Sequence, residues 1–193
     1  MATTHHKRYR PGAVYRTRDL RRWTSNPARL AKKAVEAGDL VKLSGGLYAC
    51  PRRSKFGALP PSDEAIMKAF LDGAPFVFTG PERWNQLGLG STARFASRLV
   101  YNTKRSGAFQ FGNKRFVLRR VRFPRRPTPE WFVVDLLEHH GMAGVELDVL
   151  GENLAAALRL GRFDAEELVR MAERFGTQVT QALVERALVA AQE

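Results

Sequence analysis

The sequence holds a single cysteine, Cys50, in 193 residues. An internal disulfide is therefore excluded, as expected of a protein kept in a reducing cytoplasm. No histidine lies near Cys50 in sequence, so it reads as a small residue closing a strand rather than as a nucleophile. No apolar run is long enough to span a bilayer, and no signal peptide is recognisable. A cytoplasmic protein without a membrane partner is the expectation. Acid is scarce as well. Between Arg83 and Pro129 there is no Asp or Glu, against twelve Lys or Arg. That stretch offers no carboxylates to hold magnesium, which argues against a metal-dependent nuclease. No Walker lysine is present and no Ser-His-Asp arrangement stands out. Gly88-Leu89-Gly90-Ser91-Thr92-Ala93 fits G-x-G-x-x-A, yet a helix-like segment precedes it and no acid follows until Glu130. The dinucleotide fingerprint needs a strand before it and an acid about twenty residues after it. His139 and His140 read as helix-end cations rather than zinc ligands. The expectation is a protein that is not an enzyme and needs neither cofactor nor metal.

What is abundant is positive charge, and it is unevenly placed. The chain carries 32 Lys+Arg against 19 Asp+Glu, a net charge of +13. Residues 1–60 sum to +11, residues 61–126 to +9 and residues 127–193 to −7. A chain divided in this way has a basic working surface and an acidic end. Phosphate neutralisation is the direct use of the first two-thirds.

Residues 1–13 contain His5, His6, Lys7, Arg8 and Arg10 and read as a flexible basic arm. From Val14 the pattern is that of a winged helix-turn-helix over 14–57. Arg18 to Trp23 predicts a short helix, Thr24-Ser25-Asn26 a turn, and Pro27 to Ala37 a second helix. Ser25 or Asn26 can cap that helix, Pro27 suits its first position, and Gly38 suits a left-handed stop. Ala28, Leu30, Ala31, Ala34 and Val35 share one side, facing Leu20 and Trp23. Arg29, Lys32, Lys33 and Glu36 share the other. Standing alone, that side would be an ordinary solvated face. The capped turn before it, and the strands Asp39 to Leu43 and Leu47 to Ala49 around the Ser44-Gly45-Gly46 tip, make it a recognition helix for the DNA major groove.

A charged stretch from Arg52 ends in Pro60-Pro61 and marks a boundary, so the second domain is expected over 62–193. The reading is α+β: a small mixed α/β domain with a basic β-hairpin, then a helical end. Ser62 caps a helix to about Leu71, Ala74 to Thr79 is a strand, and Pro81 to Leu87 is a helix. Arg98 to Lys104, Ala108 to Phe111 and Lys114 to Val121 are strands, the last two joined at Gly112-Asn113. Phe109, Phe111, Phe116 and Leu118 suit the buried side. A second basic patch comprises Lys114, Arg115, Arg119, Arg120, Arg122, Arg125 and Arg126. A solvated face normally mixes signs, so this patch is expected to meet a polyanion or an acidic protein surface. Phe123 among the charges raises base stacking as a use. Four helices follow. The first, Pro129 to His140, has Phe132, Val133, Leu136 and Leu137 inward and Asp135 and Glu138 outward. The second runs from Glu146 to Leu160, and the third opens on an Asp164/Glu167 capping box. The fourth opens at Thr177 and carries Val179, Leu183, Ala187 and Ala190.

Leu30 to Pro51, read as L-A-K-K-A-V-E-A-G-D-L-V-K-L-S-G-G-L-Y-A-C-P, resembles the amino-terminal domain of AbiEi-type antitoxins. Thr79-Gly80, Trp84 and Leu87-Gly88-Leu89 are similar to the start of that family's second domain, and the resemblance covers about residues 14 to 180. Ser44-Gly45 departs from it, standing where an arginine is common. The resemblance implies a type IV toxin–antitoxin antitoxin acting in phage defence. Such a protein represses its own operon through promoter repeats in double-stranded DNA. It also opposes a nucleotidyltransferase-type toxin, directly or indirectly. On that footing Ser25, Asn26, Arg29, Lys32 and Lys33 are assigned to base reading, and Lys42, Arg52, Arg53 and Lys55 to phosphates. The second patch would contact more DNA or oppose the toxin. Two alternatives stay open: an orphan winged-helix regulator without a toxin, and an RNA-binding or nucleic-acid-processing protein.

Overall fold

A computed structural model describes residues 8–55 and 57–193. The fold is α+β, and the chain forms two compact units. The first holds the described residues up to Pro75 together with Ala108–Arg115, and the second holds Phe76–Gly107 with Phe116–Glu193. The division thus falls at Pro75 rather than in the expected 57–62 boundary, and a later segment returns to the first unit.

In the first unit, β1 (Val14–Arg16) leads into a 3₁₀ helix (Thr17–Trp23) and then α1 (Pro27–Glu36). Strands β2 (Val41–Ser44) and β3 (Leu47–Ala49) follow, and the three strands form one antiparallel sheet in the order β1-β3-β2. The first helix is therefore 3₁₀ rather than α, and β1 was not anticipated. Leu20 is fully buried with Ala31, Ala34 and Leu40, while Trp23, Leu30 and Val35 pack around them. Ala28, expected on that apolar side, is exposed. Tyr9 belongs to the same cluster, 5% exposed and edge-on to Tyr15 and Trp23. So the part of the expected arm that is described, from Arg8 onward, includes a core residue. Residues 1–7 lie outside the described residues. Beyond Pro51 the expected charged linker contains β4 (Arg52–Ser54) paired with β5 (Gly57–Leu59). Helix α2 (Asp63–Phe70) is capped by Ser62, whose hydroxyl accepts from the Ala65 amide. Phe109 and Phe111 meet the ring of Phe70 at 4.8 and 4.7 Å, edge to face. The Lys114 ammonium is bonded to Asp63 and to the Pro61 carbonyl.

In the second unit, β6 (Phe76–Thr79) leads to α3 (Pro81–Gln86) and β7 (Arg98–Asn102). The hairpin β8 (Gly107–Phe111) and β9 (Lys114–Arg120) runs through the segment assigned to the first unit, and the strand order is β6-β7-β9-β8. β6 and β7 are antiparallel, whereas β7 and β9 are parallel. Asn102, fully buried, ties the end of β7: it accepts from the Lys104 and Arg105 amides and donates to the Arg105 and Arg119 carbonyls. All its polar capacity is met, which is what makes its burial tolerable. Five helices follow: α4 (Pro129–Glu138), α5 (His140–Ala143), α6 (Leu147–Arg159), α7 (Ala165–Phe175) and α8 (Gln178–Gln192). Thr128, Asp164 and Thr177 cap α4, α7 and α8 through their side-chain oxygens. Trp131, Leu136, Leu150, Leu154, Leu168 and Leu183 form much of the core. Two expected faces differ. Val179 is 61% exposed, and Asp135 is only 5% exposed. Among the described residues no helix is long and apolar enough to cross a membrane.

Candidate nucleic-acid interface

The first unit holds α1 by its N-terminus. The Asn26 Oδ1 accepts from the Arg29 amide at 3.1 Å, and the Thr24 hydroxyl accepts from the Asn26 amide at 3.1 Å. With Pro27 next, the free amides of the first turn are few, and the helix starts at a defined residue. Ala31 and Ala34 are buried, so their small side chains let α1 lie close to the 3₁₀ helix. The opposite face is then fixed: Ser25, Asn26, Arg29, Lys32 and Lys33 are all exposed. Lys32 lies 4.0 Å from Glu36 in a surface pair that leaves both side chains largely hydrated; such a pair is worth little.

Lys42 on β2, Arg52 and Arg53 on β4 and Lys55 in the following turn are exposed too. Arg52 is positioned by its stem, which crosses Gly12 so closely that a Cβ there would sit 2.9 Å from Cδ. The tip between β2 and β3 is fastened by the Thr17 amide, which donates to the Gly46 carbonyl at 2.9 Å. Two arginines of this unit are spent internally: Arg16 and Arg18 both pair with Asp72, and together they hold its carboxyl well below the usual carboxylate range. Arg21 and Arg22 are exposed on the 3₁₀ helix, with the Arg22 guanidinium 4.9 Å over Trp23. They were not singled out from sequence, although the Leu20/Trp23 spacing already sends them outward.

The residues of the second basic patch are divided between the two units. Lys114 is engaged by Asp63 and Pro61, and Arg115 lies with it in the first unit. In the second unit Arg119 is half-buried, its guanidinium 3.3 Å from His139 Nε2 and 3.8 Å from the Met142 sulfur. Arg120, Arg122, Arg125 and Arg126 are exposed. Phe109 and Phe111 meet Phe70, while Phe123 is half-buried.

Sequence reasoning missed a buried polar centre in the second unit. Asp135 accepts from Trp84 Nε1 at 2.9 Å, from the Tyr101 hydroxyl at 2.8 Å and from the Thr79 hydroxyl. One carboxylate thereby ties α4 to β6, α3 and β7. His139, stacked on Trp84 with ring centroids 5.7 Å apart, bonds through Nδ1 to the Asp135 carbonyl at 2.8 Å. The hydrogen bond that the His139 ring donates to the Asp135 carboxylate raises the His139 pKa above 6.5 despite opposing burial. Burial, and then the negative charge of Asp135, push the Tyr101 hydroxyl well above its ordinary value. His139 is thus more than the helix-end cation expected. Among the described residues no group of three or more His, Cys, Asp or Glu is arranged to hold a metal ion.

No protein-family model matches the chain, and no curated protein matches it. It is similar to a solved structure, that of the Rv2827c protein from Mycobacterium tuberculosis, with a TM-score of 0.49 and 13% identity. That likeness covers 93% of this chain and 71% of the other.

The thiol of Cys50 is buried, and burial raises its pKa, so it rests in the protonated form of a packed side chain. The glycine run from Gly88 follows α3, a helix and not a strand. In that run Gly88 turns at a φ of 65° beside Arg162, whose guanidinium donates to the Leu87 carbonyl at 2.7 Å.

Proposed function

We propose that this protein is a DNA-binding autorepressor of the AbiEi antitoxin kind, reading its own promoter with a winged helix-turn-helix and opposing a nucleotidyltransferase-type toxin. One observation carries the DNA-binding part: the exposed Arg29/Lys32/Lys33 face of a capped helix whose other side is buried. A helix presented this way fits a major groove, where arginine can bond guanine bidentately. Arg29, Lys32 and Lys33 belong to base reading, with Ser25 and Asn26 at the helix start. The Asn26 oxygen is engaged as the cap, so its amide nitrogen is what remains for a base edge. Lys42, Arg52, Arg53 and Lys55 hold phosphates. The antitoxin part rests on the family resemblance of Leu30 to Pro51 and Thr79 to Leu89.

Anisotropy titration of the DNA upstream of the gene, beside a scrambled duplex of equal length, tests the reading. A preference of roughly a thousandfold for the native sequence, kept as salt rises, is expected of specific repression. Equal binding that collapses with salt reflects phosphate attraction alone and overturns it. The double variant Arg29→Ala/Lys33→Ala is expected to lose promoter binding while keeping its circular dichroism spectrum. Normal repression by that variant removes the assignment.

A further inference from the structure

Two open grooves in the second unit share one composition. The first, about 360 Å³, is lined by Arg120, Arg122, Phe123, Arg174 and Phe175. The second, about 480 Å³, is lined by Arg83, Phe132, Arg162 and Phe163, with Pro127 at its edge. Both lie within the ~300–1,000 Å³ that small-ligand sites occupy. In each, a guanidinium carbon lies over an aromatic ring. Arg174 sits 5.3 Å from the centroid of Phe175, Arg83 5.6 Å from Phe132, and Arg162 5.8 Å from Phe163.

The grooves are joined by one segment. Phe123 lines the first and Pro127 the second, and Arg125 and Arg126 stand exposed between them. Four residues of extended chain reach about 14 Å at most, so a single flexible ligand can occupy both. Arg83, Arg120, Arg122, Arg125, Arg126 and Arg174 have no carboxylate partner among the described residues; the exposed acid Glu82 is already paired with Arg98. Their charge is therefore not cancelled within the protein.

We propose that this track binds single-stranded nucleic acid, a function separate from duplex reading by α1. Arg120, Arg122, Arg125 and Arg126 take phosphates. One unpaired base stacks in the Phe123/Phe175 groove beside Arg174, and another against Phe132 beside Arg83. A guanidinium beside a ring can offer a plane for a base and edge N–H groups for phosphate. Alternating cationic edges and half-buried aromatic faces are what single-strand grooves use. An acidic peptide would engage the arginines and leave the rings unused, and a duplex would keep its bases out of the grooves.

The test uses the full chain and fluorescent single strands of about 12 nucleotides, within the span such grooves cover. DNA and RNA of one sequence are run in parallel, because the shared chemistry is a phosphate-linked base and the 2′-hydroxyl separates the two sources. Binding of either strand is expected, and the tighter one names the source. Phe175→Leu, which keeps apolar volume and removes the stacking face, is expected to weaken binding roughly tenfold. Arg122→Gln/Arg125→Gln/Arg126→Gln, all at exposed positions, is expected to reduce the salt slope by about 2. Arg29→Ala/Lys33→Ala is expected to bind single strands as the parent does, so this proposal stands or falls independently of promoter reading. It is overturned if poly-glutamate competes as well as an unlabelled strand. It is equally overturned if Phe175→Leu binds unchanged, or if the α1 double variant binds duplex as tightly as single strand.

Discussion

Asp135 shows how much one side chain can hold. It receives Trp84, Tyr101 and Thr79 in a place that water does not reach. Asp135→Ala would leave the buried donors of Trp84 and Thr79 unpaired and Tyr101 with only His139, 3.2 Å away, at about 3 kcal/mol of stability; a lowered urea midpoint would register it. Tyr101→Phe removes one donor and should cost about 1 kcal/mol. His139 adds a dependence on pH. Its folded pKa is raised above 6.5, so its stabilising contribution is complete below pH 6.5 and fades as pH rises through the folded value. The stability gap between the parent and His139→Gln should therefore be wider at acidic than at alkaline pH; a gap that widens toward alkaline pH would contradict it. This centre was hidden by a rule of faces. An apolar stripe on α4 assigned Asp135 to solvent beside Glu138. Yet Trp131, Val133, Val134, Leu136 and Leu137 are all buried, and a helix apolar on nearly every side is an inner helix. An acid inside such a run must be buried with donors around it, which is the signal that was legible and unused.

At the scale of elements, chain punctuation was the readable part. Asn26, Pro27 and Gly38 bound α1 as anticipated, because caps and left-handed stops depend on local chemistry. Asn26→Ala should cost about 1 kcal/mol in thermal unfolding. Gly38 has a φ of 75° and nothing within 4 Å of a built Cβ. Gly38→Ala should thus also cost about 1 kcal/mol, from backbone conformation alone. The strands β1, β4 and β5 were not legible, whereas β3, equally short, is marked by the glycine tip before it. The hairpin β8–β9 was legible from its Gly-Asn turn. Where its charges went was not, because that depends on partners distant in sequence, Asp63 for Lys114 and His139 for Arg119.

For the whole molecule, the segregated charge gives the proposed DNA binding a testable response to salt. Each phosphate contact contributes about 0.9 to the slope of log affinity against log salt on duplex DNA. Replacing Arg52 and Arg53 together by Gln should lower the magnitude of that slope by about 2 while leaving the preference between sequences intact. A slope that does not move would remove both residues from the phosphate set.

The return of Ala108–Arg115 to the first unit bears on inheritance. Phe109, Phe111 and Lys114 serve Phe70 and Asp63, although about forty to fifty residues separate them along the gene. A recombination event that replaced only the first 75 codons would install a new first segment over a hairpin fitted to the old one. If α1 reads DNA as proposed, a change of its preferred sequence should therefore proceed by point changes on the outer face of α1, or by segments long enough to carry the hairpin with them.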